Sequence, residues 1–265
     1  MRPFLLAGAL AVLIASPAAA APRVVSLDQC ADQYVLALSP RSAIAGLSKR
    51  ADDADSYLGV QARGLPQQRA TLEAVLAARP QIVVRYWGGG PAMVRALEHR
   101  GVRVVAIDEA DTFDQVRADV RKVAAALDAG PAGEALVAGM DRKLAASRGA
   151  WGGRRALYLT SGGFTAGKGT LVDAILDAAG LGNAARRSGF QPAPLESLAL
   201  DPPSAVVRGF FDAALDAFQR WSPGRSQVLR RVVRDRTLVS LPGSELGCPA
   251  WFAADAAAQI AAARR

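Results

Sequence analysis

The glycine-rich segment Gly162–Thr170 is the part of the sequence that comes closest to a nucleotide-binding motif. Its residues, GGFTAGKGT, nearly match the P-loop pattern G-x-x-x-x-G-K-[ST], in which backbone N–H groups cradle phosphates and a Ser or Thr hydroxyl binds Mg²⁺. Gly169 occupies the position of that hydroxyl, so we expect no nucleotide binding. Backbone N–H groups at the start of a helix could still hold the acidic edge of another ligand.

The residue types that usually carry out catalysis are scarce. His99 is the only histidine, and it lies beside charged residues on an expected solvated helix face. A single histidine excludes a multi-histidine zinc or manganese site and removes the usual base of a serine hydrolase. The alternative function, a secreted α/β hydrolytic enzyme using the Ser161–Lys168 loop, would need a nucleophile, a base and oxyanion donors together. No such set is convincing, so we expect no enzyme, no catalytic residues, no cofactor and no metal site.

Aromatic and basic side chains follow several predicted strands, where they could form a binding site. Ligands of parallel α/β sheets bind at the carboxyl ends of the strands. Flat rings with a few Arg or Lys side chains suit a bulky ligand with anionic or amide edges. For any single ring, packing in the core or hinge is the alternative. The expected ligand-binding residues are Asp28, Arg85, Tyr86, Trp87, Phe164, Lys168, Arg208, Phe210 and Trp251.

The elements that must position these residues alternate between strands and helices, and the alternation restarts near residue 154. This order predicts parallel sheets with helices on both faces. The predicted strands are 23–27, 43–47, 81–86, 102–108, 154–160, 205–208 and 237–241. The predicted helices are one capped by Asp28 and those at 72–79, 92–100, 113–127, 171–179, 195–200, 212–221 and 249–263, with a surface loop at 50–70.

Between the two halves, residues 131–151 have the pattern of one long helix. At 1.5 Å per residue, this helix would be about 30 Å long. We therefore predict an α/β protein with two parallel-sheet sandwich lobes joined by one long backbone helix. The expected division is a signal peptide at 1–20, an N-terminal lobe at 21–128, a linking helix at 129–150 and a C-terminal lobe at 151–265.

The two halves share a short pattern that favours a duplicated lobe. The segment 72–85 contains Leu-Glu, Pro and Val-Val-Arg, and the segment 195–208 repeats these residues at the same spacing. A general helix–Pro–strand pattern is the alternative, since it accounts for the Leu, Pro and Val residues. It accounts less well for the Glu and the Arg, so we treat the two segments as equivalent.

Residues 1–20 have the composition of a secretory signal peptide. Arg2 supplies one positive charge, an apolar run covers 4–14, and Ala18–Ala20 completes an A-x-A site. The apolar run is too short to span a bilayer, which needs about 20 residues; an N-terminal core helix is the alternative. We expect cleavage after Ala20, a periplasmic location and no membrane-embedded segment.

The positive charge of the chain does not by itself indicate a nucleic-acid partner. The formal net charge is +8, but the basic residues are spread along the sequence instead of being clustered. The densest basic stretch, 231–236, is expected to be a solvated face. With 51% hydrophobic and 21% charged residues, the chain has the composition of a globular protein. We expect no nucleic-acid binding.

Cys30 and Cys248 are the only cysteines, and one lies in each half. A disulfide between them would persist in an exported protein and would restrain the two lobes. Two separate thiols are the alternative, because the distance between the residues cannot be judged from the sequence.

The order of an exported leader, a lobe, a single long helix and a second lobe resembles the class III periplasmic substrate-binding proteins of ABC importers. The similar segments are 22–32, 72–84 and the loop Phe164–Lys168, which resembles a second-lobe loop whose aromatic residue touches the ligand. This family carries ferric siderophores, haem and vitamin B12. The resemblance implies a ligand held between the lobes and a small lobe motion about the rigid helix.

The resemblance also implies a partner, an ABC importer permease that docks on an acidic residue of each lobe. Glu73 and Glu196 occupy equivalent places in the repeated pattern and are the candidates. A structural role on the helix surface is the alternative for both. No feature of the sequence demands an oligomer, so we expect a monomer.

The expected ligand is a metal chelate, either a ferric siderophore or cobalamin. Arg85, Lys168 and Arg208 would suit an anionic ferric chelate, whereas the aromatic residues would suit a corrinoid. The His or Tyr ligation expected of a haem carrier is missing, apart from the candidate Tyr86. No motif decides between these chelates.

Overall fold

The structure, a computed structural model, describes residues 21–210 and 226–264. The predicted signal peptide at 1–20 and the predicted helix at 212–221 lie outside the described residues. Within them the expected fold class is confirmed, because two parallel sheets in separate lobes are joined by one long helix.

The first lobe is built on a parallel sheet covered by helices. Its strands are β1 (Val24–Ser26), β2 (Ile44–Ser48), β3 (Gln67–Gln68), β4 (Ile82–Arg85) and β5 (Arg103–Ala106). Its helices are α1 (Gln29–Leu38), α2 (Gly59–Ala62), α3 (Leu72–Ala77), α4 (Pro91–Glu98) and α5 (Phe113–Ala126), with a 3₁₀ helix at Arg41–Ala43. The strand order is β3-β2-β1-β4-β5, and all pairs are parallel. The loop expected at 50–70 contains α2 and β3, so that prediction was incomplete.

Two helices of this lobe begin at the residues that the sequence predicts. The Asp28 side chain accepts a hydrogen bond from Ala31 N at 3.0 Å and caps α1. Thr112 caps α5 together with Gln115 in a capping box, which satisfies backbone N–H groups that the first turn leaves unpaired. Both caps fix the point at which the chain leaves a strand and enters a helix.

The linking helix α6 (Gly130–Ser147) is continuous and about 27 Å long. It ends four residues earlier than predicted, because Gly149 adopts a φ of +70°, a conformation that does not continue a right-handed helix. Its buried residues include Val137 and Met140, which belong to the hydrophobic core. No described helix, including this one, is long and apolar enough to cross a membrane.

The second lobe has a parallel sheet of its own and a small antiparallel ribbon. Its strands are β6 (Arg155–Thr160), β7 (Phe164–Ala166), β8 (Gly182–Asn183), β9 (Phe190–Pro192), β10 (Val206–Gly209) and β11 (Thr237–Leu241). Its described helices are α7 (Leu171–Ala178), α8 (Leu195–Leu200), α9 (Gln227–Arg236), α10 (Gly243–Leu246) and α11 (Ala253–Ala262). The sheet order is β11-β10-β6-β8, and β7 pairs with β9 antiparallel. The ribbon and α9 were not predicted, and the helix predicted at 249–263 begins only at Ala253.

One hydrophobic core continues from the first lobe into the second. Helix α11 packs against α6 and α7, and buried residues from α1, α5, α6 and α11 belong to the same cluster. The ring of Tyr57, from the first lobe, stacks on Phe252 with 4.1 Å between the ring centroids. The Trp151 indole donates a hydrogen bond to the Ile260 carbonyl at 2.8 Å. The two lobes are therefore packed together around the linking helix.

Candidate functional site

The turn after β4 is held in place by the buried carboxylate of Asp28. One oxygen accepts the helix-capping hydrogen bond, and the other accepts hydrogen bonds from Tyr86 N at 2.7 Å and Gly88 N at 2.9 Å. A Cβ on Gly88 would lie 2.7 Å from the Leu27 carbonyl oxygen, so glycine is required there. Asp28 is an expected ligand contact; in the structure its carboxylate is buried, and its hydrogen bonds position the turn.

The same turn presents Trp87 at the carboxyl end of the first sheet. Its side chain is 61% exposed, which is unusual for the largest apolar residue. The neighbouring Arg85 is half-buried, and its Nε donates to the Gly88 carbonyl at 2.6 Å. A guanidinium anchored in this way has donors left for an anion beside the indole ring. Trp87 and Arg85 are thus both placed where the sequence predicts ligand contacts.

Tyr86 is half-buried, and its hydroxyl group donates a hydrogen bond to the carboxylate of Glu109. Burial, followed by this hydrogen bond and the charge of Glu109, raises the pKa of the Tyr86 phenol above its ordinary value. The phenol is therefore neutral near pH 7.

The second lobe brings its own predicted residues to the carboxyl ends of β6 and β10. Phe164 is 45% exposed, and Arg208 and Phe210 are half-buried. Lys168 is exposed but follows β7, whose last residue, Ala166, accepts a hydrogen bond from Asn183 beside the start of β6. The Ser161 hydroxyl donates to the Phe210 carbonyl at 2.9 Å, which ties the ends of the two strands together. Phe210 has a φ of +59°, a rare conformation for a residue with a side chain. An aromatic ring, that of Phe164, and the strand residue Arg208 therefore lie near this edge.

Trp251, another expected ligand contact, lies in the core and not at either sheet edge. Its side chain is 7% exposed and meets the rings of Tyr34 and Phe252 edge-on, with 5.3 Å between centroids in each case. Helix α10 intervenes between β11 and this residue, which moves Trp251 away from the strand end.

Cys30 and Cys248 form a disulfide, so the alternative of two separate thiols was wrong. The Sγ atoms are 2.12 Å apart and the Cα atoms 5.3 Å apart. The bond joins the first turn of α1 to the segment between α10 and α11. The buried Tyr34 hydroxyl donates to the Pro249 carbonyl at 2.7 Å next to it. The two lobes are therefore covalently linked.

A second contact between the lobes was missed at the level of the sequence. The Tyr57 hydroxyl donates to Asp255 Oδ2 at 2.6 Å, and Lys143 of the linking helix pairs with the other oxygen of that carboxylate. Burial and the Asp255 carboxylate raise the pKa of Tyr57. No pattern in the predicted loop at 50–70 distinguishes Tyr57 from a surface residue. Its role depends on the packing of three elements that are distant in sequence.

The glycine-rich segment is occupied by its own hydrogen bonds. Thr170 caps α7, and its hydroxyl donates to the Gly167 carbonyl at 2.8 Å. Gly167 N donates to the Gly189 carbonyl at 2.9 Å, and a Cβ on Gly167 would lie 1.7 Å from the Arg187 carbonyl oxygen. The glycines of this segment thus allow two loops to pack closely. Among the described residues, no group of three His, Cys, Asp or Glu side chains could hold a metal ion.

The two candidate docking residues occupy equivalent positions. Glu73 is exposed in the first turn of α3, and Glu196 is exposed in the first turn of α8. Each helix precedes a central strand of its sheet, β4 in the first lobe and β10 in the second. Neither carboxylate takes part in an ion pair among the described residues.

Asp32 is a buried carboxylate beneath the first sheet. It accepts hydrogen bonds from the Ser26 hydroxyl, from Ser48 N at 2.8 Å and from the Ser48 hydroxyl at 2.5 Å. Burial is the largest influence and raises the pKa of Asp32 from 3.8 to about 6, although these hydrogen bonds act in the opposite direction. The protonated form therefore favours the folded state, and its stabilising effect is lost as the pH rises through about 6.

The substitution Asp32→Asn should remove this pH dependence while keeping the shape of the side chain. Between pH 7 and pH 4.5, the free energy of unfolding of the wild type should rise by about 2 kcal/mol relative to that of the variant. Urea denaturation at the two pH values measures this difference. Asp177→Asn, on an exposed side chain, is the control and should follow the wild type. Parallel curves for the wild type and Asp32→Asn would show that Asp32 has an ordinary pKa.

Comparisons with known proteins agree with this architecture. The model of the family described as Periplasmic binding protein matches residues 24–242. No curated protein matches the chain in sequence. A similar solved structure is that of the periplasmic heme-binding protein BhuT in complex with two hemes. Its sequence is 27% identical to this one, and the structural alignment has a TM-score of 0.68 and covers 92% of this chain and 99% of that one.

Two further solved structures share the fold at lower identity. The heme-binding protein RhuT from Roseiflexus sp. RS-1 is 23% identical with a TM-score of 0.72, covering 92% of this chain and 98% of its own. The vitamin B12 binding protein BtuF of Vibrio cholerae is 17% identical with a TM-score of 0.61, covering 92% and 96%. These are binding proteins, and the alternative of a hydrolytic enzyme has no support. Since the family model covers most of the chain, this protein belongs to the periplasmic binding protein family.

Proposed function

We propose that this protein is the solute-binding subunit of an ABC importer, which captures a metal chelate between its lobes and delivers it to a membrane permease. The observation that carries the proposal is the exposure of Trp87 and Phe164, one at the carboxyl end of each sheet. Exposed aromatic rings at the carboxyl ends of parallel strands are placed where ligands of such sheets bind. Similar proteins bind heme and vitamin B12, which supports a ligand of this size.

The ligand class follows from the chemistry of the two edges. Flat rings offer stacking surfaces for a macrocycle or another bulky apolar body, and Arg85 and Lys168 offer donors for anionic groups at its rim. The Tyr86 hydroxyl donates to Glu109, and in this proposal the metal keeps the ligands of its chelator. Ferric siderophores, cobalamin and haem all meet this description.

A thermal-shift screen tests the proposed function. At 100 times its Kd, a ligand adds about 2.7 kcal/mol of stability, and for a protein of this size this corresponds to about 8 °C in Tm. We expect one of haemin, cyanocobalamin or a ferric hydroxamate to give such a shift. Ferric chloride, the metal without its chelator, is the control and should give none. Failure of every chelate at saturating concentration would contradict the proposed ligand class.

We further propose that residues 1–20 are removed on export and that the protein works in the periplasm as a monomer. Membership of the periplasmic binding protein family and the composition of this leader support the location. The mass of the protein recovered from the periplasm, together with its elution on a calibrated sizing column, would test both points.

Glu73 and Glu196 are proposed to dock the permease. Replacing both by lysine should leave the Kd for the chelate unchanged, since both carboxylates are exposed and lie in helices that precede the central strands β4 and β10 instead of following their carboxyl ends. Growth on the chelate as sole source of its metal should fall at least tenfold. Each lysine would reverse the charge that the proposal places against the permease and would repel a basic partner there. Glu98→Lys, on another exposed helix position, is the control. Normal growth of the double variant would exclude these residues from docking.

A further inference from the structure

We call the proposed chelate site near Trp87 and Phe164 the cleft. The second lobe contains a separate cavity of about 540 Å³. It lies between Leu157 of the sheet, the β7–β9 ribbon and helix α8. Its rim includes Arg155 and Ser204, which lie at the amino ends of β6 and β10. The cleft residues follow the carboxyl ends of the same strands, so the two sites lie toward opposite ends of the sheet.

The ribbon separates the cavity from the residues proposed for the cleft. Thr165 and Gln191 are register partners in β7 and β9, and both line the cavity. Successive side chains of a strand point to opposite faces. Phe164 therefore points away from the face that Thr165 presents. One side of the ribbon serves the cavity, and the other carries the aromatic ring that we assign to the cleft.

The lining of the cavity is mainly apolar and includes one buried hydroxyl group that lacks a hydrogen-bond partner within the described part of the chain. Leu157, Leu198 and Pro202 form part of its walls. Thr165 is 1% exposed, and its hydroxyl oxygen makes no hydrogen bond with any described residue. A buried hydroxyl without a partner costs free energy. The volume is within the range of about 300–1,000 Å³ that is usual for small-molecule sites.

The rim of the cavity is positively charged. Arg155, Arg186 and Arg187 lie there with a single carboxylate, that of Asp201. The Arg186–Asp201 pair is 3.7 Å long and exposed, so it neutralises the rim only weakly. The segment next to Asp201 is also held by a fourth arginine, Arg154, whose guanidinium donates to the Ser204 carbonyl at 3.0 Å.

We propose that this cavity is a second binding site, specific for a small amphipathic anion with an apolar ring or short acyl chain and one carboxylate or sulfonate group. The apolar part of the ligand fills the space between the sheet and α8, and its charge faces the arginines at the rim. The site acts independently of the chelate in the cleft, because the ribbon lies between them.

The fluorescent probe 8-anilinonaphthalene-1-sulfonate, an apolar ring system with one sulfonate, tests this site in the folded protein. One equivalent should bind the wild type. Ala185→Trp, which places a large ring into the cavity, should raise the Kd of the probe at least tenfold. Trp87→Ala, in the cleft, should leave that Kd unchanged. Binding of the probe to Ala185→Trp with wild-type affinity would overturn the proposal.

A second experiment tests the charge of the rim by substituting an exposed arginine. Its result does not depend on whether the Ala185→Trp variant folds. Arg187→Glu should raise the Kd of the probe about tenfold, whereas Arg142→Glu, the same change on the exposed face of α6, should alter it less than twofold. Competition with octanoate and with 2-naphthoate distinguishes an acyl ligand from an aromatic one. The compound that displaces the probe at the lower concentration indicates the preferred apolar group. If neutral octanol displaced the probe as well as octanoate does, the proposed requirement for an anion would be wrong.

Discussion

Removing the disulfide should lower the free energy of unfolding by about 4 kcal/mol, a large part of the stability of a typical domain. The bond spans a sequence separation of 218 residues, and a long closed loop restricts the unfolded chain strongly. We suggest the pair Cys30→Ala and Cys248→Ala, because both sulfur atoms are buried and alanine adds no polar group. Urea denaturation at neutral pH measures the loss.

The reduced wild type is the matched control for this variant. It keeps both sulfur atoms in the core but lacks the covalent link, so it should lose nearly as much stability as the double variant. The double variant itself should not respond to reductant. A loss of less than 1 kcal/mol on reduction of the wild type would show that the packing of Tyr34 and Trp251 already holds the lobes as firmly as the bond does.

The strand–helix order and two helix starts could be predicted because each depends on local chemistry. Asp28 and Thr112 are cap residues whose side chains act within their own first turn. The long helix could also be predicted from its apolar spacing. Its end was predicted too late, since the positive φ of Gly149 interrupts a pattern that otherwise continues to Trp151.

The second lobe was harder to predict because its missing elements are short or charged. Strands β8 and β9 have two and three residues, too few to show alternation. Helix α9 was treated only as a basic stretch, although its buried Leu229 and Val232 are three residues apart, a helical spacing. That spacing is a signal that could have identified the helix.

The candidate site was predictable only in part, because burial depends on contacts between distant segments. Strand ends correctly indicated the exposed Trp87 and Phe164. The same rule included Asp28, whose two carboxylate oxygens both accept hydrogen bonds from backbone N–H groups. It also included Trp251, which follows α10 and packs in the core. Residue type and position after a strand thus indicate an edge, but do not indicate which side chains remain free to bind.

The affinity for the chelate should depend most on the two exposed rings. Trp87→Ala should raise the Kd about 30-fold, and Phe164→Ala about tenfold, because buried aromatic contacts in binding sites are often worth about 2 kcal/mol. The residues lie in different lobes, so their effects should add and give a loss of about 300-fold in the double variant. Fluorescence quenching or calorimetry with the chelate found in the screen measures these values.

Leu200→Ala is the control, since Leu200 is 87% exposed at the end of α8 and outside the proposed cleft. Its Kd should equal that of the wild type. The Tm of each unliganded variant should stay within about 2 °C, because exposed side chains contribute little to folding. Wild-type affinity in the double variant would place the chelate elsewhere, whereas a fall in Tm would mean that the rings support the fold and that their exposure has another cause.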